Sequence, residues 1–287
     1  MIFFFENGRL GNQIFQYLGI RHYFPDHKTV FFGCSDLRDA LESVEVTIIP
    51  RERFQRLSPY LFAIIREIIL RLAIFGVIGW IQEESQDNDF SLSKKQGLIS
   101  NIYLLKSAHF QNKIFLEKFQ EEIFLKKDIL ARAEEWLNTV LPDWRSSTIV
   151  FVNIRRGDYI NWPSPEYPAV LSYAWHQNAM NRFRREFGNP KFVIVTDDTF
   201  YAEDIFSKEE DVIISRNSVF VDLAIMKLCD HGILSPSSFA WWGAWFSRQK
   251  SSNPEDSIFI APNYWVGHRA KRWHPKGFQT SWITYVE

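Results

Sequence analysis

The chain predicts an α/β protein of two domains built on mostly parallel sheets. Three observations carry that expectation. Strand-like apolar runs alternate with helical periods through both halves. The 287 residues exceed the usual ~100–200 of one domain. A polar stretch with a proline, "LPDWRSS" at Leu141 to Ser147, separates the two runs of alternation and sets the expected domains at 1–145 and 146–287.

The first half opens on "MIFFF". Phe3 to Phe5 are too uniformly apolar for a half-exposed strand and suit a parallel strand covered on both faces. "ENGRLGNQ" then reads as a glycine loop and "IFQYLGIRHYF" as a helix. "TVFFG" at 29–33 is a second strand, 51–82 looks helical, and "QEESQDNDFS" reads as an acidic polar loop. "NIYLL" at 101–105 is strand-like. The apolar spacing of "NKIFLEKFQEEIFLKKDILARAEEWLNTV" predicts helix.

In the second half "TIVFVNI" is a strand and "SYAWHQNAMNRFRREFG" a helix ended by Gly188. "KFVIVTDD" is a strand with Asp197 and Asp198 at its tip, and "DVIIS" another strand. "SVFVDLAIMKLCDH" reads as a helix, "GILSPSS" as strand and loop, "FAWWGAWFS" as a helix, and "SIFIAP" as the last strand. Trp241, Trp242 and Trp245 lie at helical spacing and read as core rather than as a ligand platform.

Composition narrows the function. Lys and Arg number 33 against 34 Asp and Glu, a net charge of −1, which argues against nucleic acid as a partner. Any anion site is therefore local. Cys34 and Cys229 make neither a disulfide framework nor a metal spacing. The start has no basic segment and too short an apolar run for a signal peptide, so a cytoplasmic location is expected. Residues 61–81 are apolar but broken by Arg66, Glu67 and Arg71, too short to span a bilayer. A core helix is the plain reading, and a helix lying on the inner face of a membrane the sharper one. The seven histidines lack zinc spacing. Asp87-Asn88-Asp89 spells Asp-x-Asp but follows no apolar strand, so it reads as a solvated turn and no metal is expected.

Parallel sheets bind ligands beyond the carboxyl ends of their strands. Four polar loops sit at such ends: "GRLGNQ", "RRGDY", "TDD" and "SPSS". They can converge on one cleft. Arginine keeps its charge and offers a planar fork matched to phosphate oxygens. Side chains on neighbouring strand positions point to opposite faces, so of Arg155 and Arg156 one holds an anion and the other braces the structure, pairing with Asp158 or another acid. Arg155 is favoured for the anion. Arg-Gly-Asp as an adhesion signal is a poor fit beside a core strand. Ser237 and Ser238 precede a helix, where they cap it or help its N-terminus bind phosphate; local sequence fits both. Gly8 and Gly11 around Arg9 allow close backbone approach, but neither a nicotinamide fingerprint nor a P-loop is present. No nucleophile elbow is present either.

Together these motifs resemble the alpha-1,2-fucosyltransferase family (glycosyltransferase family 11). Gly8 to Tyr17 is similar to its "G-x-L-G-N-Q-x-F-Q-Y". Asn153 to Tyr159 is similar to "H-x-R-R-G-D-Y", and Ser237 to Trp245 to "S-S-F-S-W-W-G-A-W". The resemblance implies a GT-B fold, two Rossmann-like domains facing across a cleft. It implies metal-independent, inverting transfer of L-fucose from GDP-fucose to a galactose-terminated glycan, with no cofactor. It assigns Arg155 to the β-phosphate, Asp222 to the nucleoside and Ser238 to phosphate, and closes the Arg9–Gly11–Asn12 loop over the diphosphate. Asn153 stands where the family has His; an amide keeps a donor and an acceptor. Asp158 and Glu166 are the candidate catalytic bases. The positive charges beside Asp158 make it the weaker base.

Overall fold

The computed structural model describes all residues except 57, 59, 87–88, 107, 113–122, 251–252, 267–270 and 272–278. Met1–Lys126 forms one compact unit, and Lys127–Pro275 with Gln279–Glu287 the other. The helix at 127–140 therefore groups with the second unit.

The first unit runs β1 (Ile2–Phe5), α1 (Leu10–Tyr23), β2 (Thr29–Phe32), α2 (Ser35–Ala40), β3 (Thr47–Ile49), α3 (Arg51–Gln55), α4 (Leu61–Ile74), β4 (Gly79–Gln86), β5 (Asp89–Lys95) and β6 (Tyr103–Leu105). Its sheet has the order β3-β2-β1-β6-β4-β5, parallel except for the β4–β5 hairpin. β1 is central, as its phenylalanine run predicts. Ile2 and Phe4 are fully buried on one face, while Phe3 and Phe5 pack into the cluster of Phe32, Phe62, Ile69 and Leu104 under α4.

Three expectations change here. In "QEESQDNDFS", expected as a loop, residues 82–86 and 89–91 are instead paired antiparallel strand, and 87–88 lie outside the described residues; β5 is an edge strand, where serines and lysines discourage further pairing, so it reads as loop in sequence. The helix over 51–82 is two helices followed by β4. Of the helix expected over 112–140, residues 127–140 are helical, 123–126 are non-helical with an isolated bridge from Leu41 to Leu125, and 113–122 lie outside the described residues.

The second unit runs α5 (Lys127–Val140), β7 (Ile149–Ile154), α6 (Tyr173–Phe187), β8 (Lys191–Thr196), α7 (Thr199–Phe206), β9 (Val212–Ile214), α8 (Val219–Leu228), β10 (His231–Ile233), α9 (Ser238–Lys250), β11 (Phe259–Pro262) and β12 (Ile283–Val286). The sheet order β12-β11-β10-β7-β8-β9 is parallel throughout. Val150, Val152, Ile154 and Ile194 meet Trp175, Met180, Phe183 and Phe206 of α6 and α7 in one core. α8 packs between α5 and α9. Trp241 and Trp242 are fully buried and pack edge to face at 5.1 Å, with Trp245 beside Trp242 at 5.3 Å; all three are core. Ser172 caps α6 by accepting from the Trp175 N–H, and Gly188 ends it at φ +74°. α7 and β12 have no counterpart in the sequence-based expectation.

Candidate active site

The order of the second sheet reverses between β7 and β10: β8 and β9 extend it one way, β10 to β12 the other. A crevice opens beyond the strand ends at such a reversal. β7 ends there in Asn153 and Ile154, followed by Arg155, Arg156, Gly157 and Asp158.

Ser235, just past β10, ties the two strand ends together. Its Oγ donates to the Asn153 carbonyl at 2.7 Å and accepts from the Arg155 N–H at 3.0 Å. Tyr159 adds a second tie, its hydroxyl donating to the Pro236 carbonyl at 2.7 Å.

Both arginines are paired. Arg155 reaches Asp197 Oδ2 through Nη1 at 2.8 Å and Asp158 through Nη2, and lies 5.3 Å from the Tyr159 ring. Arg156 donates its backbone N–H to Asp197 Oδ1 at 2.8 Å and its Nε to Asp198 Oδ2 at 3.1 Å, with its guanidinium 3.6 Å from the centre of the Tyr201 ring. Asp197 is thus the hub of the loop. The expectation that one arginine braces holds too little: the side chains diverge, but each finds its own aspartate at the tip of β8. Asp198 also caps α7, accepting from the Tyr201 N–H at 3.1 Å. Gly157 is what lets Asp197 in, because a Cβ there would stand 2.5 Å from Asp197 Oδ2.

Asn153 is buried. Its amide nitrogen donates to the Val195 carbonyl at 3.3 Å, and its Oδ1 is buried with no hydrogen-bond partner among the described residues. That leaves an acceptor at a site where a ligand N–H or O–H would be matched.

Asp222 lies in the first turn of α8 and is buried, accepting from Ser215 Oγ at 2.5 Å. Burial pushes its carboxyl up to about 7, against the opposing pull of the Ser215 hydrogen bond. Between the ordinary value of 3.8 and about 7 the folded chain holds a proton that the unfolded chain releases. Stability from this group therefore falls as pH rises across that window. Asp222→Asn is expected to flatten that slope, measured as Tm against pH for both proteins; equal slopes would show that Asp222 does not titrate this way.

Ser237 Oγ accepts from the Phe239 N–H at 3.2 Å, so it caps α9, and Ser238 begins the helix. The capping reading is realised for Ser237; the free end of a helix of this length still favours an anion. Asp158 is exposed apart from its pair with Arg155. Glu166 is exposed in the following loop and has no hydrogen bond or ion pair among the described residues. A cavity of about 600 Å³ on the α6–α7 side of the strand ends is lined by Arg156, Ser172, Trp175, Tyr201, Tyr264 and Lys271, among others.

Arg9, Gly11 and Asn12 belong to the first unit. Arg9 is the exposed N-cap residue of α1, and Gly11 and Asn12 are in its first turns, so the helix begins earlier than the sequence suggests. Gly8 has φ +92° and makes the turn. Gln13 and Gln16 hold that turn by donating to the Gly8 and Asn7 carbonyls at 3.3 and 2.8 Å, and Gln111 donates to Asn12 Oδ1 at 2.9 Å.

The second unit thus brings Asn153, Arg155 and Asp158 into one bonded cluster, with Ser237 and Ser238 two and three residues beyond its Ser235 tie. Asp222 makes no bond to that cluster and is held through Ser215. Sequence reasoning marked "TDD" as a strand-end loop without assigning Asp197 and Asp198 to the arginines, and missed Ser235, Ser215 and Tyr201. The pairing of β8 beside β7 was the available signal. Among the described residues no three His, Cys, Asp or Glu are grouped to hold a metal. Asp87 and Asn88 lie outside them.

Comparison with known proteins agrees with this architecture. A profile of glycosyl transferase family 11 matches residues 96–285. The O-antigen biosynthesis glycosyltransferase WbnK of Escherichia coli is 24% identical over 96% of this chain and 98% of its own length. An alpha-1,2-colitosyltransferase of Escherichia coli is 31% identical over 53% of this chain and 52% of its own length. The mouse galactoside 2-alpha-L-fucosyltransferase Sec1 is 30% identical, and this chain spans only 31% of its length. In three dimensions the chain is similar to POFUT1 in complex with GDP (TM-score 0.51, 14% identity, 90% of this chain and 97% of that one). It is also similar to the NodZ alpha-1,6-fucosyltransferase soaked with GDP-fucose (TM-score 0.50, 15% identity, 85% and 92%). These two likenesses show the fold, which is of GT-B type. With its two parallel-sheet units and a profile match spanning the whole arginine and serine site, the chain belongs to glycosyltransferase family 11 and is a glycosyltransferase.

Proposed function

We propose that the protein transfers L-fucose from GDP-fucose to a sugar hydroxyl, O2 of a terminal galactose, with inversion. The observation that carries this reading is the arginine loop after β7, held by Asp197 and Asp198 at the sheet reversal and beside the start of α9. It holds two guanidinium groups on aspartates at the strand ends, where an incoming diphosphate can take the place of a carboxylate. In this reading Arg155 exchanges Asp158, its more exposed partner, for the leaving diphosphate. Ser237 and Ser238 present the N-terminus of α9 to a phosphate. Asp222 and Asn153 meet the nucleoside. Arg9, with Gly11 and Asn12, is the first unit's contribution to donor binding. Asp158, once displaced, or Glu166, which has no partner to lose, takes the acceptor proton. The aromatic walls of the cavity near Arg156 suit the apolar face of a sugar ring.

The acceptor assignment draws on the likeness to galactoside 2-alpha-L-fucosyltransferases; the fold alone does not give it, since NodZ is an alpha-1,6-fucosyltransferase. Incubation with GDP-fucose and a panel of terminal galactosides, with products read by mass spectrometry and linkage by NMR, tests the proposal. Transfer from another nucleotide sugar in place of GDP-fucose would overturn it. Because arginines neutralise the leaving group, turnover is expected to persist in EDTA. Loss on chelation with recovery in Mn²⁺ would refute that role for them.

A second reading has one observation behind it. Asn153 stands where the resemblance implies a histidine and leaves a buried acceptor without a partner among the described residues, and one relative is a colitosyltransferase. On this reading the donor carries colitose instead. Asn153→His is expected to retain or raise turnover of GDP-fucose. A fall, together with wild-type turnover of GDP-colitose, favours the second reading.

A further inference from the structure

α4 is apolar nearly all round, and only one side of it meets the first unit's core. Phe62, Ile69 and Ala73 are buried under it. On the opposite side Ile64 and Ile68 are 50% and 52% exposed, followed one turn at a time by Leu72 and by Phe75 at 77%. Tyr60, just before the helix, begins the same stripe at 73%. The turn at Leu98, 85% exposed, is fastened beside the end of α4 by its N–H donating to the Gly76 carbonyl at 2.8 Å. Among the described residues of the first unit none covers the stripe. Six large apolar side chains in one continuous patch exceed what a soluble surface ordinarily leaves open.

The charges nearby select the occupant. Arg53 and Arg56, on α3 and at its exit, are exposed and make no ion pair among the described residues. Arg71 lies beside the stripe in an exposed pair with Glu67 at 2.8 Å. Residues 51–75 thus hold five arginines against two glutamates, in a chain whose net charge is −1. A second copy of this face would set arginine against arginine. Anionic lipid accepts both the apolar stripe and the unpaired guanidinium groups. No helix among the described residues is long and apolar enough to cross a bilayer.

We propose that the α3–α4 face docks the protein flat on an anionic membrane surface, with Ile64, Ile68, Leu72 and Phe75 at the headgroup–acyl boundary. The inference stands on the surface of the first unit and does not depend on the donor or acceptor assigned above. It is tested by vesicle flotation of the full chain, using phosphatidylcholine alone and phosphatidylcholine with about 30% phosphatidylglycerol. The wild type is expected to float with the anionic vesicles at least tenfold more than with the neutral ones, by the order of magnitude for a few basic groups, and to be released by salt. Ile64→Glu/Ile68→Glu is expected to abolish flotation while Tm and turnover of a soluble acceptor stay unchanged, because both side chains face solvent. Arg53→Gln/Arg56→Gln, which leaves the apolar stripe intact, is expected to weaken it roughly fivefold per charge. The proposal is overturned if wild-type protein ignores anionic vesicles or if the glutamate variant floats like wild type. It is equally overturned if light scattering shows a wild-type dimer that the glutamate variant loses, which would make a second copy the occupant.

Discussion

Arg155→Lys is expected to lower kcat by about 10²–10³ and to weaken GDP binding, the usual cost of one preorganised donor to developing charge. Lysine keeps the charge but not the fork, and both prongs of this fork are engaged: Nη1 with Asp197, Nη2 with Asp158. Sequence alone suggests that ligand-free Tm hardly moves. The two ion pairs change that. A single ammonium satisfies one aspartate at a time, and the side chain of Asp197 is only 22% exposed. A loss of about 1 kcal/mol is therefore expected, a fall in Tm of roughly 2–4 °C for a chain of this size. Arg156→Lys gives the complementary pattern. It breaks the Nε bond to Asp198 and the guanidinium stack on Tyr201, so Tm falls further than donor affinity does. Calorimetric Tm and titration with GDP check both variants. If Arg155→Lys binds GDP like wild type and Arg156→Lys does not, the two roles are exchanged. If neither affects GDP, the diphosphate lies elsewhere.

Gly157→Ala, one added methyl group, is expected to be nearly as damaging. The new Cβ would stand 2.5 Å from Asp197 Oδ2, closer than van der Waals contact allows, so the carboxylate must leave its place. Asp197 accepts from the Arg156 backbone and from Arg155 Nη1, so displacing it frees the loop backbone and one prong of the Arg155 fork at once. Turnover should drop by about 10² or more, as a misplaced catalytic group does, while overall folding survives. A double-mutant cycle isolates the cause. If the clash with Asp197 is the whole effect, Gly157→Ala adds almost nothing to Asp197→Ala, a clear failure of additivity. Two independent losses that simply sum would mean that the glycine serves the loop in some other way. This is also the physical content of "RRGD" here: the glycine makes room for the acid that positions the arginines.

Much of this was legible in the residues. The continuous phenylalanines of β1 and the apolar run of β7 announced central parallel strands, because such strands are covered on both faces and need no alternation. Gly188 announced the end of α6. Three ordered motifs announced the family, and the family's profile agrees. The failures share a cause. The β4–β5 hairpin was taken for a loop because an edge strand keeps its polar residues to avoid further pairing, so the feature that protects it also hides it. α7, of eight residues, is too short for a period to declare itself.

At the site, local sequence decided which groups are present and which strand ends carry them. It set two arginines after β7, two aspartates after β8 and two serines at the start of α9. Local sequence could not decide partners, because an ion pair between Arg155 and Asp197 spans 42 positions and exists only through the parallel register of Ile154 with Thr196. The same holds for Ser235, which joins β7 to β10 across 80 residues, and for Asp222, whose proton affinity is set by burial rather than by neighbours in the chain. Chemistry was written along the strand ends; sheet order and the exclusion of water determined what each group touches and which charge it carries.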